Sequence, residues 1–217
     1  MTVETDDWGL VTEGLLLQAA LPRAPELGWT SRLVAAAAPE AGLSVAEADL
    51  LLPNGARDLA ALLSRKHDRE ALDRLADIEP AALKIRERIR VAVMARCDAA
   101  MADASATRSW AGFLALPGNP ALGLRLAWES ADALWRWAGD TATDENHYSK
   151  RFLLSEILIS TLAIRLASGD EAAATHLDRR ITGVMSFEKW KARFTGGNFA
   201  STAAGILGRL RYGSARV

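Results

Sequence analysis

The chain has 217 residues, half of them hydrophobic, which is enough for one ordinary domain with a sizeable core. Its 26 basic and 27 acidic residues leave a net charge of -1, so the whole molecule has no electrostatic preference for nucleic acid. The single cysteine, Cys97, excludes an internal disulfide and fits a reducing compartment. The beginning of the sequence is acidic, without a basic cluster before an apolar run, so we expect no secretory signal and an intracellular protein.

Alanine and leucine dominate the sequence and no segment alternates with period two, so we predict an all-α protein. Prolines, glycines and capping residues predict where the helices begin and end. The predicted helices are residues 10–21, a helix from Thr30 or Ser31 to about 41, a short helix after Ser44, residues 56 to about 75, a helix bearing Ile85, Ile89, Val93 and Cys97, a helix from Asn119 and Pro120 to Gly139, residues 143–167, and one bearing Leu177.

Two of these helices carry patterns that predict their surroundings. In the helix from residue 56, Leu59, Leu62 and Leu63 are expected to be buried, and the charged run at 65–70 is expected to be solvated. The helix at 143–167 is apolar almost all round, so we expect it to be the central helix with neighbours on every side. Its most apolar stretch is far shorter than the ~20 residues of a membrane-spanning helix, so the protein is expected to lie on a membrane without crossing it.

No pattern in the sequence is typical of a catalytic or metal site. The three histidines do not form a His-x-x-x-His pair, and glycine-rich phosphate loops and nucleophile elbows are absent. We therefore predict no catalytic residues, no metal and no cofactor. An enzyme whose site is assembled from distant residues is the alternative that stays open.

The first quarter of the chain resembles the helix-turn-helix portion of TetR-type repressors. The resemblance lies in the order of a helix, a glycine and tryptophan, a second helix, a short helix after Ser44 and a Pro-Asn-Gly turn. In a DNA-binding protein that short helix would enter the major groove, but here it carries Glu47 and Asp49, and no Lys or Arg lies between Arg32 and Arg57. We predict a degenerate motif that binds no nucleic acid, with a TetR-type ligand-responsive regulator as the alternative.

A more specific resemblance lies in the segment WAGDTATD at residues 137–144, followed by Asn146, Tyr148, Lys150 and Arg151. It is similar to the signature of the ubiquinone (coenzyme Q) biosynthesis accessory family, lipid-binding proteins with a TetR-like fold. The Gly28-Trp29 pair, the Leu-Pro-Asn-Gly turn at 52–55 and residues 177–181 are similar to the same family at matching places.

This resemblance implies a non-enzymatic protein that binds an isoprenoid quinone intermediate or phospholipid and presents it to a partner hydroxylase of the ubiquinone pathway. It further implies a homodimer and a C-terminal amphipathic helix that binds membranes. We accordingly predict a TetR-like helical bundle with a helix-turn-helix-like part at 1–80, a lipid-binding core at 81–186 and a basic tail at 187–217. The partner-binding residues, carried over by position, are Asp144, Asn146, His147, Tyr148 and Arg151.

The central helices carry more apolar surface than one helix contact requires, so they could line a lipid cavity. Apolar stripes more often form an ordinary filled core, and it is the family resemblance that leads us to predict the cavity. The predicted lipid-binding residues are Leu124, Trp128, Trp135, Leu154, Ile157, Leu158, Thr161 and Ile164.

The tail combines basic with aromatic and aliphatic residues, a composition typical of membrane-surface segments. We predict a cytoplasmic protein, peripheral to the inner membrane, although a flexible tail or packing on a neighbouring subunit would also explain the composition. The predicted membrane-binding residues are Phe187, Trp190, Lys191, Phe194, Phe199, Ile206, Leu207 and Leu210.

Overall fold

A computed structural model of the chain describes the backbone of residues 4–141 and 145–194 and the side chains of residues 8–141 and 147–184. This described part forms α-helices joined by short turns and contains no strand, so the predicted all-α class is confirmed. The chain separates into two units, residues 1–176 and residues 177–217. The division into three parts at residues 80 and 186 rests on sequence pattern and stays a prediction.

Ten α-helices follow one another in the described part of the chain. They are α1 (Glu4–Ala20), α2 (Ala24–Leu27), α3 (Ser31–Ala37), α4 (Val45–Leu51), α5 (Ala56–Arg74), α6 (Ile85–Ala102), α7 (Ala104–Ala115), α8 (Pro120–Trp137), α9 (Glu145–Ser168) and α10 (Asp170–Phe194). Short 3₁₀ turns, Ala38–Ala41 and Pro80–Ala82, follow α3 and precede α6.

The short helix α4 begins as the sequence predicts. The Ser44 side chain accepts a hydrogen bond from the Glu47 backbone N–H, and the Glu47 carboxylate accepts one from the Ser44 backbone N–H. This reciprocal pair satisfies two N–H groups that the first helical turn leaves unpaired. Before it, Gly42 ends the preceding 3₁₀ turn at a φ of 73°, a left-handed conformation that glycine adopts without a steric cost.

Helix α5 is packed on several sides, by α1, α3, α6 and α8. Leu59, Leu62 and Leu63 are buried as predicted. The prediction that residues 65–70 form a solvated run is wrong: His67 is fully buried, and only two members of the run are exposed. The reason is that α6 and α8 cover the sides of α5 that a two-helix contact would leave to solvent.

Helix α9 is not the central helix, and that prediction is wrong as well. It packs against α6 and α8, but Phe152 and Ile159 are 65% and 47% exposed. Apolar residues on all sides of a helix therefore do not require neighbours on all sides, because single apolar side chains are common on protein surfaces. Two exposed apolar residues seven positions apart nevertheless lie on one helix face.

The structure adds two helices that the sequence does not predict, the four-residue α2 and the longer α7. Helix α7 is fixed to α5 by Trp110, whose Nε1–H donates to the Ala60 carbonyl at 2.9 Å. It is fixed to α6 by Thr107, whose hydroxyl donates to the Ala100 carbonyl at 2.8 Å. Both bonds are buried, so α7 is held in a defined place beside α8.

Candidate functional site

A cavity of about 430 Å³ lies among α5, α6, α7, α8 and α9. Its volume falls within the range of roughly 300–1,000 Å³ that is typical of small-molecule sites. Most of its wall consists of Leu, Ile, Ala and Trp side chains from α7, α8 and α9, including Trp110, Leu114, Leu158 and Leu162. The cavity therefore offers an apolar ligand a surface that water solvates poorly.

The burial of the lining residues distinguishes a mouth from a floor. Leu124 of α8 and Ile159 of α9 line the cavity and are 60% and 47% exposed, so the mouth lies between these two helices. Ser64, Arg96 and Ser130 line it too, but each is at most 5% exposed. The floor of the cavity is thus polar while the wall and the mouth are apolar.

Asp68 joins Arg96 to Ser130, and Arg96 in turn binds Ser64. Arg96 donates from Nε to Asp68 Oδ1 at 2.5 Å and from Nη2 to Ser64 Oγ at 3.3 Å. Ser130 donates to the same Asp68 oxygen at 2.7 Å. A buried guanidinium requires a paired carboxylate to offset its loss of hydration, and the Arg96–Asp68 pair leaves the floor without net charge.

A second polar cluster lies next to this floor on α5. The ring Nε2 of His67 is 3.3 Å from Asp103 Oδ2, and Lys66 Nζ is 2.5 Å from the same oxygen. Burial lowers the pKa of His67, which favours the neutral ring with its hydrogen on Nε2, facing the carboxylate. The hydrogen bond from His67, with that from Lys66, lowers the pKa of Asp103 to about 2.

Cys97 lines the cavity beside Arg96 and is buried. Burial raises the pKa of its thiol to about 11. The thiol is therefore protonated at neutral pH and acts as a small apolar wall group rather than as a nucleophile.

The structure places two of the eight predicted lipid-binding residues, Leu124 and Leu158, on the cavity wall. The other six lie outside its lining: Trp128 contacts Tyr148, Trp135 donates to the Lys150 carbonyl, Leu154, Ile157 and Thr161 are buried, and Ile164 is half-buried. The sequence analysis missed the wall from α7 because it assigned no helix there. The four-residue spacing of Trp110 and Leu114 was the available signal.

Of the three predicted partner-binding residues whose side chains are described, Tyr148 is the most accessible, at 64% exposed. Its ring lies 6.1 Å from that of Trp128 and 5.2 Å, edge-on, from that of His147. The side chains of Asp144 and Asn146 lie outside the described residues, as do those of all eight predicted membrane-binding residues.

Arg151, the fifth residue of the predicted patch, is 2% exposed and so is not on the surface. It donates to Asp132 Oδ1 at 2.5 Å and to Asp140 Oδ2 at 3.1 Å. Burial opposes ionisation of Asp140, but hydrogen bonds from Lys150 and Arg151 outweigh it and hold the pKa of that carboxyl below its usual range. Through these buried ion pairs, Arg151 connects the first turns of α9 to the last turns of α8 and to Asp140 of the signature segment.

The described residues form neither a metal-binding cluster nor a membrane-spanning helix. Within residues 8–141 and 147–184, no three His, Cys, Asp or Glu side chains lie together as a metal site would need. Among the described helices, none is both long and apolar enough to span a bilayer.

The fold and the site together define the class of protein: an all-α bundle with an open apolar cavity and a neutral polar floor. Residues 121–188, which include the signature segment, match the COQ9 family model. The chain is 27% identical over 186 residues to the mitochondrial ubiquinone biosynthesis protein COQ9 of Rattus norvegicus, a match that covers 79% of this chain and 58% of the rat protein.

The match to the Homo sapiens protein of the same name is 27% identical and covers 79% of this chain and 57% of the human protein. A COQ9-B protein of Xenopus laevis is also 27% identical, with 79% and 61% covered. The chain therefore spans somewhat more than half the length of these relatives. These matches support the family predicted from the sequence, that of the COQ9 ubiquinone biosynthesis proteins.

Proposed function

We propose that this chain is a non-enzymatic lipid-binding accessory protein of ubiquinone biosynthesis. It takes an isoprenoid quinone intermediate or a phospholipid from a membrane surface and hands it to a hydroxylase of the pathway. The single observation that carries the proposal is the apolar cavity of about 430 Å³ in a chain whose residues 121–188 match the model of this family.

The wall of the cavity explains how such a ligand would be held. Each CH₂ group of a prenyl or acyl chain that leaves water contributes ~0.8 kcal/mol. The wall from α7, α8 and α9 is apolar along its length, so a few isoprene units would bind without any directional contact. This kind of binding suits a carrier, because the affinity depends on the chain and not on one reactive group.

The mouth supports a ligand exchange at a membrane. Ile159 lines it, and Phe152, two turns earlier on α9, continues its exposed apolar face. Such a rim lets a chain pass from a bilayer into the cavity without crossing bulk water. The relatives are mitochondrial proteins by name. For this chain, we continue to predict a cytoplasmic protein that binds the surface of the inner membrane. We also continue to predict a homodimer.

The proposal is tested with a pair of tryptophan substitutions on α9. Ala163 lines the cavity and is exposed, so Ala163→Trp places a large ring across the mouth without disturbing a buried contact. Ala167 is exposed on the same helix but does not line the cavity, so Ala167→Trp is the matched control. The purified wild type and both variants are examined by native mass spectrometry, which measures the bound lipid. Separate samples are extracted with organic solvent to identify that lipid.

The expected result is near-stoichiometric prenylated quinone precursor or phospholipid in the wild type and the Ala167→Trp variant. The Ala163→Trp variant is expected to retain several-fold less. Lipid-free wild type that takes up none on titration would overturn the proposal, as would equal lipid in the two variants. Turnover of a quinone intermediate by the purified protein alone would instead favour the enzyme alternative.

A further inference from the structure

We propose that the floor of the cavity is a recognition site for a neutral carbonyl oxygen, so that the ligand binds with its oxygen-bearing ring inward and its chain toward the mouth. This inference rests on the proposed function, since it concerns the same cavity. It goes beyond that function by naming the part of the ligand that is recognised and the residues that recognise it.

The first argument is the position of unused hydrogen-bond donors. Of the two recorded bonds of Arg96, one leaves from Nε and one from Nη2, so neither uses Nη1. The Ser64 hydroxyl accepts one of these bonds and keeps its own hydrogen to donate. Arg96 and Ser64 both line the cavity, and both are almost fully buried.

The second argument concerns which chemical group these donors suit. Ser130 already gives its hydrogen to Asp68, so the floor offers donors mainly from Arg96 and Ser64. Donors require an acceptor on the ligand, and leaving them buried without one costs free energy. An oxygen-free hydrocarbon would therefore fill the wall but would leave the floor without a partner.

The third argument is the charge of the floor. Asp68 balances Arg96, so a phosphate pushed to the floor would be a buried anion without a counter-charge of its own. A neutral carbonyl accepts the same hydrogen bonds without this cost. The floor thus favours a quinone or another ring ketone over a phospholipid headgroup.

The position of these groups fixes the direction of binding. Arg96 and Ser64 lie at the buried end, whereas Leu124 and Ile159 lie at the exposed end. A ligand whose carbonyl oxygen meets Arg96 has its ring in the cavity and the remainder of its chain directed out through the mouth. Transfer to a partner then requires release of the ligand from the floor.

The test compares two probes that have the same decyl chain on a six-membered carbon ring. One is 2-decyl-1,4-benzoquinone and the other is decylbenzene, which lacks the two oxygens; decyl phosphate is the anionic third probe. Dissociation constants are measured by equilibrium dialysis for wild-type protein, for Ser64→Ala and for Ser155→Ala. Ser155 is the matched control, because it is a buried serine of α9 that donates to the Arg151 carbonyl and does not line the cavity.

Ser64→Ala is expected to weaken quinone binding by roughly three- to tenfold, the loss of about one hydrogen bond. It should leave decylbenzene binding unchanged, and Ser155→Ala should change neither. Equal effects of Ser64→Ala on both probes, or none on either, would overturn the carbonyl site while leaving lipid binding intact. Tighter binding of decyl phosphate than of the quinone would also overturn it, whereas failure of all probes to bind wild type contradicts the proposed function itself.

A measurement on the wild type alone keeps the inference testable if a variant folds poorly. The infrared carbonyl band of the bound quinone should move to lower frequency than in hydrocarbon solvent, because a hydrogen bond weakens the C=O bond. An unshifted band in the complex would show that the oxygen does not meet the floor.

Discussion

Arg151 shows at the scale of one residue how a signature position can act from the interior. Sequence similarity placed it in a partner-facing patch, but its guanidinium is buried between Asp132 and Asp140. Both carboxylates have another basic neighbour, since Arg136 pairs with Asp132 and Lys150 pairs with Asp140. We infer that Arg151 holds α8 and α9 together. Among the predicted partner-binding residues whose side chains are described, Tyr148 is the exposed one.

Replacing Arg151 with methionine is expected to destabilise the fold by about 3 kcal/mol, because two partly or fully buried carboxylates lose their shared cation. For a chain of this size that corresponds to a fall in melting temperature of roughly 6–12 °C. Lys150→Met is the matched control on the same helix. Lys150 is 38% exposed and pairs with the same Asp140, so its loss is expected to cost at most ~1 kcal/mol.

Circular dichroism melts of the wild type and the two variants measure the difference. Similar melting temperatures for Arg151→Met and Lys150→Met would show that burial of the guanidinium adds nothing to stability. The inference that Arg151 fastens α8 to α9 would then be wrong.

At the scale of the helix, α4 carries the features from which we predict that the helix-turn-helix-like order binds no DNA. Its Ser44 cap fixes Glu47 at the first turn, where hydrogen bonds from the Ser44 backbone and side chain lower the pKa of the Glu47 carboxyl. Leu50, 81% exposed, lies on the same helix. The helix thus presents an ionised carboxylate and an apolar side chain where a DNA reader presents donors and basic groups.

We expect no sequence-selective DNA binding by the full chain at physiological salt. Fluorescence anisotropy with random and selected duplexes, at rising salt, measures it directly. A Glu47→Gln, Asp49→Asn variant should behave like the wild type, because removing two negative charges supplies no phosphate contact. Tight, salt-sensitive binding to a selected duplex would favour the TetR-type regulator instead.

The helices also show how far the sequence alone determines the fold. Capping and proline signals are local, so the beginnings of α4 and α8 were predicted within a residue. Helix α7 has no comparable signal, and it is positioned by the Trp110 and Thr107 bonds to other helices. The same holds for His67, which lies in a charged run, and for Arg96, because the burial of both depends on how α6 and α8 pack around α5.

At the scale of the whole molecule, exposed apolar groups occur on several separate surfaces. Trp8, Val11 and Leu15 are exposed on α1, Leu50 is exposed on α4, and the rim of the cavity is exposed on α8 and α9. Scattered apolar residues are ordinary on a protein surface, so exposure alone does not identify a membrane contact. The rim differs from the other surfaces because it adjoins an opening into an apolar cavity.

This difference makes a prediction about membrane binding. Phe152→Ser is expected to reduce the fraction of protein that floats with phosphatidylcholine and phosphatidylglycerol vesicles, because inserting one phenylalanine is worth roughly 1.5–3 kcal/mol. Leu50→Ser removes an even more exposed apolar side chain far from the mouth in sequence, and it should leave flotation unchanged. If the basic tail at 187–217 alone bound the membrane, both variants would float like the wild type. The apolar rim would then have no part in membrane binding, and a ligand would have to reach the cavity through water.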